Sequence, residues 1–207
     1  MRILILKGTI GLKKFKNWFS NVRKEASAVL FPPLIQEYMI PQDTYELKNG
    51  QVAEVGLASV VDLDAIIKIQ EACYDGVAPW GRIAVNNELR NKGSSFFLML
   101  YHDFKAIAFI GMSARQNKLH VTNIATHPAY QKNGIASFLI KTVIAIAEKL
   151  NKDRVTLEVR LSNIEAIRLY RNLGFNDVHI KRNYYHNNGE DALDMVYLLN
   201  ETYGVNE

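Results

Sequence analysis

A short loop at residues 131–136 (QKNGIA) carries the clearest chemical signal in this chain of 207 residues. The first turn of a helix has unpaired backbone N–H groups and about half a positive charge, so a loop that leads into a helix favours an anion. Gly134 lets a ligand approach the backbone, Ala136 intrudes little more, and Lys132 adds a cation. These residue types predict phosphate binding, and an ordinary strand-to-helix connection is the alternative. The loop is neither a Walker A motif nor a three-glycine dinucleotide motif.

The flanking residues indicate the elements that hold this loop. Residues 120–126 alternate in the manner of a strand, and His127-Pro128 ends that strand because the residue before a proline avoids the helical region. From Ile135 to Leu150 apolar residues recur at helical spacing and form one face. The sequence therefore predicts a strand, a glycine-containing loop and a helix, in that order.

The loop resembles the Gln/Arg-x-x-Gly-x-Gly/Ala motif of the GNAT acetyltransferases, which holds the pyrophosphate of acetyl-coenzyme A. Residues 157–175 (LEVRLSNIEAIRLYRNLGF) and 182–195 (RNYYHNNGEDALDM) are similar to segments of protein N-terminal acetyltransferases. The resemblance runs from about residue 52 to residue 199 and is most specific in its C-terminal half. Two departures concern the loop: Lys132-Asn133 stand where relatives often carry basic residues, and Ala136 replaces a common glycine.

The resemblance implies a role for each matched position. Glu158 is the implied base, which takes a proton from the amine with the help of water, and Tyr170 is the implied acid for the departing thiolate. The structural alternatives are an ion pair of Glu158 with Arg160 or another cation, and an aromatic anchor at Tyr170. The implied cofactor-binding residues lie at the strand end, in the loop and before the next helix: Ile124, Ala125, Gln131, Lys132, Asn133, Gly134, Ile135, Ala136 and Asn163.

The last two segments of the match concern the substrate and a helix start. Tyr184 and Tyr185 are the implied substrate-binding residues, and as neighbours on a strand they are expected to point to opposite faces. Residues 162–165 (SNIE) match a capping box, which predicts that Ser162 caps the next helix. The five histidines and the single cysteine show no metal-ligand spacing, so no metal is expected. One cysteine also excludes an internal disulfide and suits a reducing cytoplasm.

Positive charge is concentrated at the N-terminus. Residues 1–50 hold eight basic and four acidic residues, and the 17 basic residues beyond them are matched by 17 acidic ones. Apolar residues at helical spacing between Phe15 and Leu30, with lysines mostly off that face, predict a basic amphipathic helix that ends at Pro32-Pro33. Such a helix could bind RNA, a membrane surface or a partner, or pack on the protein itself. Residues 42–51 are polar and indicate a linker, so we divide the chain into an extension (1–50) and a domain (51–207).

In the domain, strand patterns both alternate with helices and form hairpins, which predicts a mixed α/β fold. The resemblance implies the GNAT fold, with a mostly antiparallel mixed sheet of six to seven strands and helices on both faces. No apolar run reaches 18 residues, so we expect no membrane span and a cytoplasmic location.

The resemblance implies transfer of acetyl from coenzyme A to a protein N-terminal amine, with the N-terminal alanine of a small-subunit ribosomal protein as the expected substrate. The basic helix is the expected contact to RNA or the ribosome. The alternatives are acetylation of a small amine or a lysine, and a module that binds acetyl-coenzyme A without turnover. The presence of both Glu158 and Tyr170 favours an enzyme over the binding module.

Overall fold

A computed structural model describes residues 39–199, and the predicted basic helix lies outside this range. The described residues form four α-helices: α1 (Leu63–Cys73), α2 (Arg82–Arg90), α3 (Ile135–Lys149) and α4 (Ile164–Asn172). They also form eight strands: β1 (Thr44–Glu46), β2 (Val52–Leu57), β3 (Ser95–His102), β4 (Lys105–Arg115), β5 (Lys118–Thr126), β6 (Arg154–Arg160), β7 (Asn176–Tyr185) and β8 (Glu190–Leu198). None of these helices is long and apolar enough to cross a membrane.

All eight strands lie in one sheet, in the order β1-β2-β3-β4-β5-β6-β8-β7. Only β5 and β6 run parallel; every other neighbouring pair is antiparallel. The predicted fold class is therefore confirmed, but the expected six to seven strands were too few. The additional strand is β1, which pairs Tyr45 with Ala53 on β2 and lies in the segment assigned to a polar linker. That linker prediction was wrong for residues 44–46.

Helices cover both faces of the sheet, as predicted. On β3, Phe96, Leu98 and Leu100 are buried in a core that α3 completes with residues such as Leu139 and Val143. The alternate β3 residues Phe97 and Met99 lie on the other face, in a core that α1 and α2 complete. Because both faces are covered, β3 is buried along nearly its whole length.

Strand β5 contains the irregularity that shapes the site. Met112 on β4 pairs with Val121 and the adjacent Gly111 pairs with Asn123, so Thr122 is an extra residue that forms a β-bulge. The predicted alternation would put Val121 and Ala125 on the same face of the sheet. The bulge breaks it, and these two residues lie in different cores. The parallel register with β6 ends at His120, two residues before the bulge. A bulge bends its strand, so β5 and β6 diverge beyond this point.

Candidate active site

A cavity of about 460 Å³ lies where β5 and β6 diverge. Its wall consists of the end of β5, the following loop, the first turn of α3 and one face of α4: Ile124, Ala125, Thr126, Tyr130, Gln131, Lys132, Gly134, Ile135, Ala136, Ser137, Asn163, Glu165, Ala166, Leu169 and Tyr170. The structure thus brings together on one surface every residue assigned to the cofactor except Asn133, and it adds Tyr170 to them.

The loop before α3 has the backbone of a tight turn. Lys132 and Gly134 both adopt positive φ, at 62° and 81°, and Gly134 is the N-cap residue of α3. Phe138 is the first residue whose N–H is bonded within the helix, to the Gly134 carbonyl, so the preceding N–H groups of the first turn have no partner inside the helix. Lys132 makes no ion pair within residues 39–199. The cavity wall therefore carries helix-start N–H donors and a free cation, the donor set that an anion needs.

Two loop residues, Asn133 and Gly134, have structural contacts inside the fold that the sequence did not indicate. The Asn133 amide donates to the Tyr130 carbonyl at 3.1 Å, and its side-chain oxygen accepts from the Lys48 N–H at 3.3 Å, so this side chain is used within the fold. At Gly134, an added Cβ would lie 2.7 Å from the Tyr45 hydroxyl. The sequence indicated that glycine makes room for a ligand here. The structure shows that it makes room for Tyr45 and permits the positive φ.

Helix α4 starts differently from the prediction. Its N-cap is Asn163, whose side-chain oxygen accepts a hydrogen bond from the Ala166 N–H at 3.1 Å. The predicted cap, Ser162, instead donates its hydroxyl to Glu190 at 2.5 Å. The capping-box prediction was therefore wrong for Ser162. Asn163 lines the cavity, and within residues 39–199 no hydrogen bond uses its amide nitrogen, which leaves a donor for a ligand.

Tyr170 lies on α4 and lines the cavity, although only 6% of its surface is exposed. Its ring packs against Phe175 at 5.9 Å between centroids. Burial, with smaller contributions from the neighbouring Tyr74 and Tyr185, raises the pKa of this phenol well above its ordinary range. Tyr170 therefore stays protonated at every working pH and can donate a hydrogen bond. The same packing also makes it the aromatic anchor that was the alternative prediction.

Glu158 lies on β6 in a buried cluster of charged groups. Its side chain is 12% exposed, and its two oxygens have different partners: Lys181 Nζ donates to one at 2.5 Å, and His120 Nε2 lies 3.2 Å from the other. His120 Nδ1 in turn lies 2.9 Å from the Thr156 hydroxyl. The structural alternative is confirmed in part: Glu158 pairs with another cation, Lys181, whereas Arg160 pairs with Glu190 at 2.7 Å.

These partners control the charge of Glu158. Burial acts to raise its pKa, but the hydrogen bonds and charges of His120 and Lys181 more than offset this and lower the pKa to about 2. Asp194 lies directly opposite Glu158 on β8, and Lys181 contacts both carboxylates, at 3.3 Å in the case of Asp194. Like charges on facing strand positions repel each other, so Lys181 is needed to hold them together. Glu158 is thus ionised at neutral pH.

Tyr184 and Tyr185 lie beside this cluster and contact each other edge to face, with ring centroids 5.2 Å apart. The expectation that they point to opposite faces was wrong, because the register of β7 shifts between Lys181 and Tyr185 and Asn183 has a positive φ. Burial raises the pKa of Tyr185 to about 12. Its ring is covered by the Arg160 guanidinium, 3.8 Å from the ring centre. Burial also raises the pKa of Tyr184, and the adjacent Glu158 adds to this effect.

The sequence did not point to three neighbours of these residues: His120, Lys181 and Tyr74. His120 is a buried polar residue between the apolar Leu119 and Val121, and that interruption was the signal available in the sequence. Tyr74 is the C-cap residue of α1, and it contributes to the raised pKa of Tyr170. Within residues 39–199 no group of three or more histidine, cysteine or acidic side chains is arranged to hold a metal.

The fold and the cavity define the class of protein. Residues 63–175 match the model of the acetyltransferase (GNAT) family, which spans more than half of the chain. The chain therefore belongs to the GNAT family, whose members transfer acetyl from acetyl-coenzyme A. A Salmonella typhimurium protein solved with its cofactor acetyl-CoA shares the fold, with a TM-score of 0.59 and 19% identity over 73% of this chain and 96% of that chain.

Individual members of the family are also similar to this chain. The [ribosomal protein bS18]-alanine N-acetyltransferase of Escherichia coli (strain K12) is 34% identical over 65% of this chain and 89% of its own length. The crystal structure of the ribosomal-protein-S18-alanine N-acetyltransferase from Escherichia coli has a TM-score of 0.65 and 29% identity, covering 75% of this chain and 98% of that chain. An N-alpha-acetyltransferase of the archaeon Sulfurisphaera tokodaii is 32% identical over 71% of this chain and 93% of its own length.

Proposed function

We propose that this protein transfers acetyl from acetyl-coenzyme A to the N-terminal α-amino group of a protein. One observation carries the proposal: the phosphate-type loop and Tyr170 share a cavity wall, and the ionised Glu158 lies on the strand that borders the opening. The residues fit the cofactor, because the first turn of α3 and Lys132 supply donors and a cation for its pyrophosphate. When bound there, the cofactor would supply a thioester, and the protein's residues would position it and move protons.

The weak basicity of Glu158 favours one type of amine as the substrate. A carboxylate with a pKa of about 2 removes a proton poorly, so the cluster suits an amine that is already partly neutral. At pH 7 about one α-amino group in ten is neutral, from a pKa near 8, compared with about one lysine in 2,500, from a pKa near 10.4. We infer that Glu158 orients the amine, or a water molecule beside it, and helps to carry away the proton that the amine loses. His120, 3.2 Å from Glu158, belongs to this proton path.

Tyr170 would stabilise the departing sulfur by donating a hydrogen bond to it, which is the acid role that the resemblance implies. The coenzyme A thiolate, with a pKa near 8.5, is a good leaving group and needs only a hydrogen-bond donor that stays protonated. The raised pKa of the buried Tyr170 meets that need. In the same scheme Asn163 binds the cofactor through its free amide nitrogen, and Tyr184 and Tyr185 contact the peptide.

The relatives suggest the substrate. The Escherichia coli enzyme named above is an alanine N-acetyltransferase for ribosomal protein bS18, and this chain covers 89% of it. We propose that an N-terminal alanine, on a ribosomal protein, is the substrate here too. The positive excess in residues 1–50 supports the further proposal that the extension binds RNA on a ribosomal particle and delivers the enzyme to its substrate.

Mass spectrometry of peptides incubated with the protein and acetyl-coenzyme A tests the proposal. One peptide has a free N-terminal alanine and one internal lysine; its matched control has the same sequence with the α-amine blocked. We expect acetylation of the free α-amine and little or none of the lysine in either peptide. Preferential modification of lysine would identify the rival substrate class, and cofactor binding without turnover of any peptide would identify a binding module.

A further inference from the structure

The additional strand β1 contacts the loop that we assign to the pyrophosphate. The Tyr45 hydroxyl donates a hydrogen bond of 2.7 Å to the backbone carbonyl of Asn133, 88 residues further along the chain. The Tyr45 ring packs against Phe138 in the first turn of α3, with centroids 4.5 Å apart. In the turn that follows β1, the Lys48 N–H donates to the Asn133 side chain. One short strand and its turn thus contact both the backbone and the side chain of Asn133.

The bond from Tyr45 has a geometric consequence for the neighbouring amide. In a planar trans peptide the carbonyl and the N–H point in opposite directions. Since the Asn133 carbonyl points to Tyr45, the N–H of Gly134 in the same peptide unit points away from Tyr45. Gly134 also lines the cavity. Its positive φ of 81° and the 2.7 Å separation between a built Cβ and the Tyr45 hydroxyl show that this peptide and Tyr45 fit closely.

The Tyr45 hydroxyl is a hydrogen-bond donor that stays protonated. Burial raises the pKa of its phenol, so the hydroxyl keeps its proton. The strand that carries it is held firmly, because Tyr45 pairs with Ala53 on β2 and Leu47, just after β1, is 3% exposed in the main core. A fixed donor on a fixed strand can hold a peptide plane that a glycine-containing loop would otherwise leave free to rotate.

We propose that Tyr45 is a positioning residue for the acyl-coenzyme A site: it orients the peptide between Asn133 and Gly134 so that the Gly134 N–H faces the pyrophosphate. The inference rests on the proposed binding of acetyl-coenzyme A at this loop. It assigns a function to β1, a strand outside residues 63–175 that match the family model. Tyr45 is not among the residues that line the cavity, so it should affect cofactor affinity and not the chemical step.

The test is Tyr45→Phe, which keeps the ring on Phe138 and removes only the hydrogen bond. We expect the KM for acetyl-coenzyme A to rise about two- to tenfold, the range for one lost hydrogen bond, with kcat unchanged at saturation. The discriminating measurement uses S-acetylpantetheine, which lacks the phosphates: kcat/KM for this substrate should be the same in wild type and variant. Tyr101→Phe is the matched control, because the Tyr101 hydroxyl donates to Asp62, away from the cavity. It should leave the kinetic constants for both acetyl-coenzyme A and S-acetylpantetheine unchanged.

A second variant tests the contact at Gly134. Gly134→Ala should weaken coenzyme A binding in the wild-type background, and less so in the Tyr45→Phe background, because the hydroxyl that the new methyl group would meet is absent. Calorimetry with coenzyme A alone separates the two proposals. If wild type does not bind coenzyme A, the proposed function fails. If wild type binds and Tyr45→Phe binds equally well, or if the variant loses the same factor with S-acetylpantetheine, the positioning role is refuted.

Discussion

Replacing Glu158 by glutamine should change how the stability of the protein depends on pH. The carboxylate has an ordinary pKa of 4.5 in an unfolded chain and about 2 in the folded protein. At 1.36 kcal/mol for each pKa unit, this difference corresponds to about 3 kcal/mol of folding free energy. The same contacts, with His120 and Lys181, should hold the Glu158 carboxylate in its place, so the stability measurement also probes the proposed site.

The sign follows from the direction of the shift. A carboxyl group whose pKa is lowered by folding stabilises the folded state above its unfolded pKa, and it loses that stabilisation as the pH falls towards its folded pKa. For Glu158 the window is pH 4.5 to about 2, and linkage gives a loss of about 2 kcal/mol between pH 6 and pH 3. Because glutamine does not titrate, the gap between the unfolding free energies of wild type and Glu158→Gln should shrink by this amount over that range.

Urea unfolding followed by circular dichroism at several pH values between 6 and 3 measures this gap. Taking the difference between the two proteins removes the contribution of other carboxylates with lowered pKa values, among them Glu190 and Asp191. Glu148→Gln, a change at an exposed position on α3, is the control, and its gap should vary by less than about 0.5 kcal/mol. A constant gap for Glu158→Gln would refute the cluster of Glu158, His120 and Lys181 as described.

Two further predictions concern activity. Tyr170→Phe should lower kcat by about a hundredfold to ten-thousandfold, the usual contribution of a general acid, while calorimetry shows little change in acetyl-coenzyme A affinity; a loss below about threefold at saturating substrate would contradict the acid role. Removing residues 1–38 should leave acetylation of a free peptide nearly intact and weaken binding to ribosomal particles, and binding by the full chain should fall steeply with salt. A large loss of thermal stability together with salt-insensitive particle binding would show instead that the extension packs on the body.

Most elements could be predicted from the sequence because their signals are local. The helix that starts at Ile135 and the strand from Arg154 agree with the structure at their first residues, since amphipathic periods and turn residues act over a few positions. The loop at residues 131–136 was found in the same way, from a glycine and a cation between a strand and a helix.

The sequence did not reveal the features that depend on distant partners. Strand β1 has only three residues, and its neighbours in the sequence are mostly polar. It forms because the edge of β2 is available for pairing. Ser162 has the chemistry of an N-cap, but Glu190, 28 residues away, takes its hydroxyl. The partners of Glu158 come from β5 and β7, and no local pattern connects those strands to β6.

The bulge in β5 has a consequence for how such a cavity can arise and be lost. Thr122 is a single residue in excess of what β4 pairs with, and the parallel ladder to β6 stops two residues before it. Without Thr122, β5 would match β4 residue for residue and would have no reason to bend away from β6. A gain or loss of one codon could therefore separate a continuous sheet from one that opens to admit a ligand.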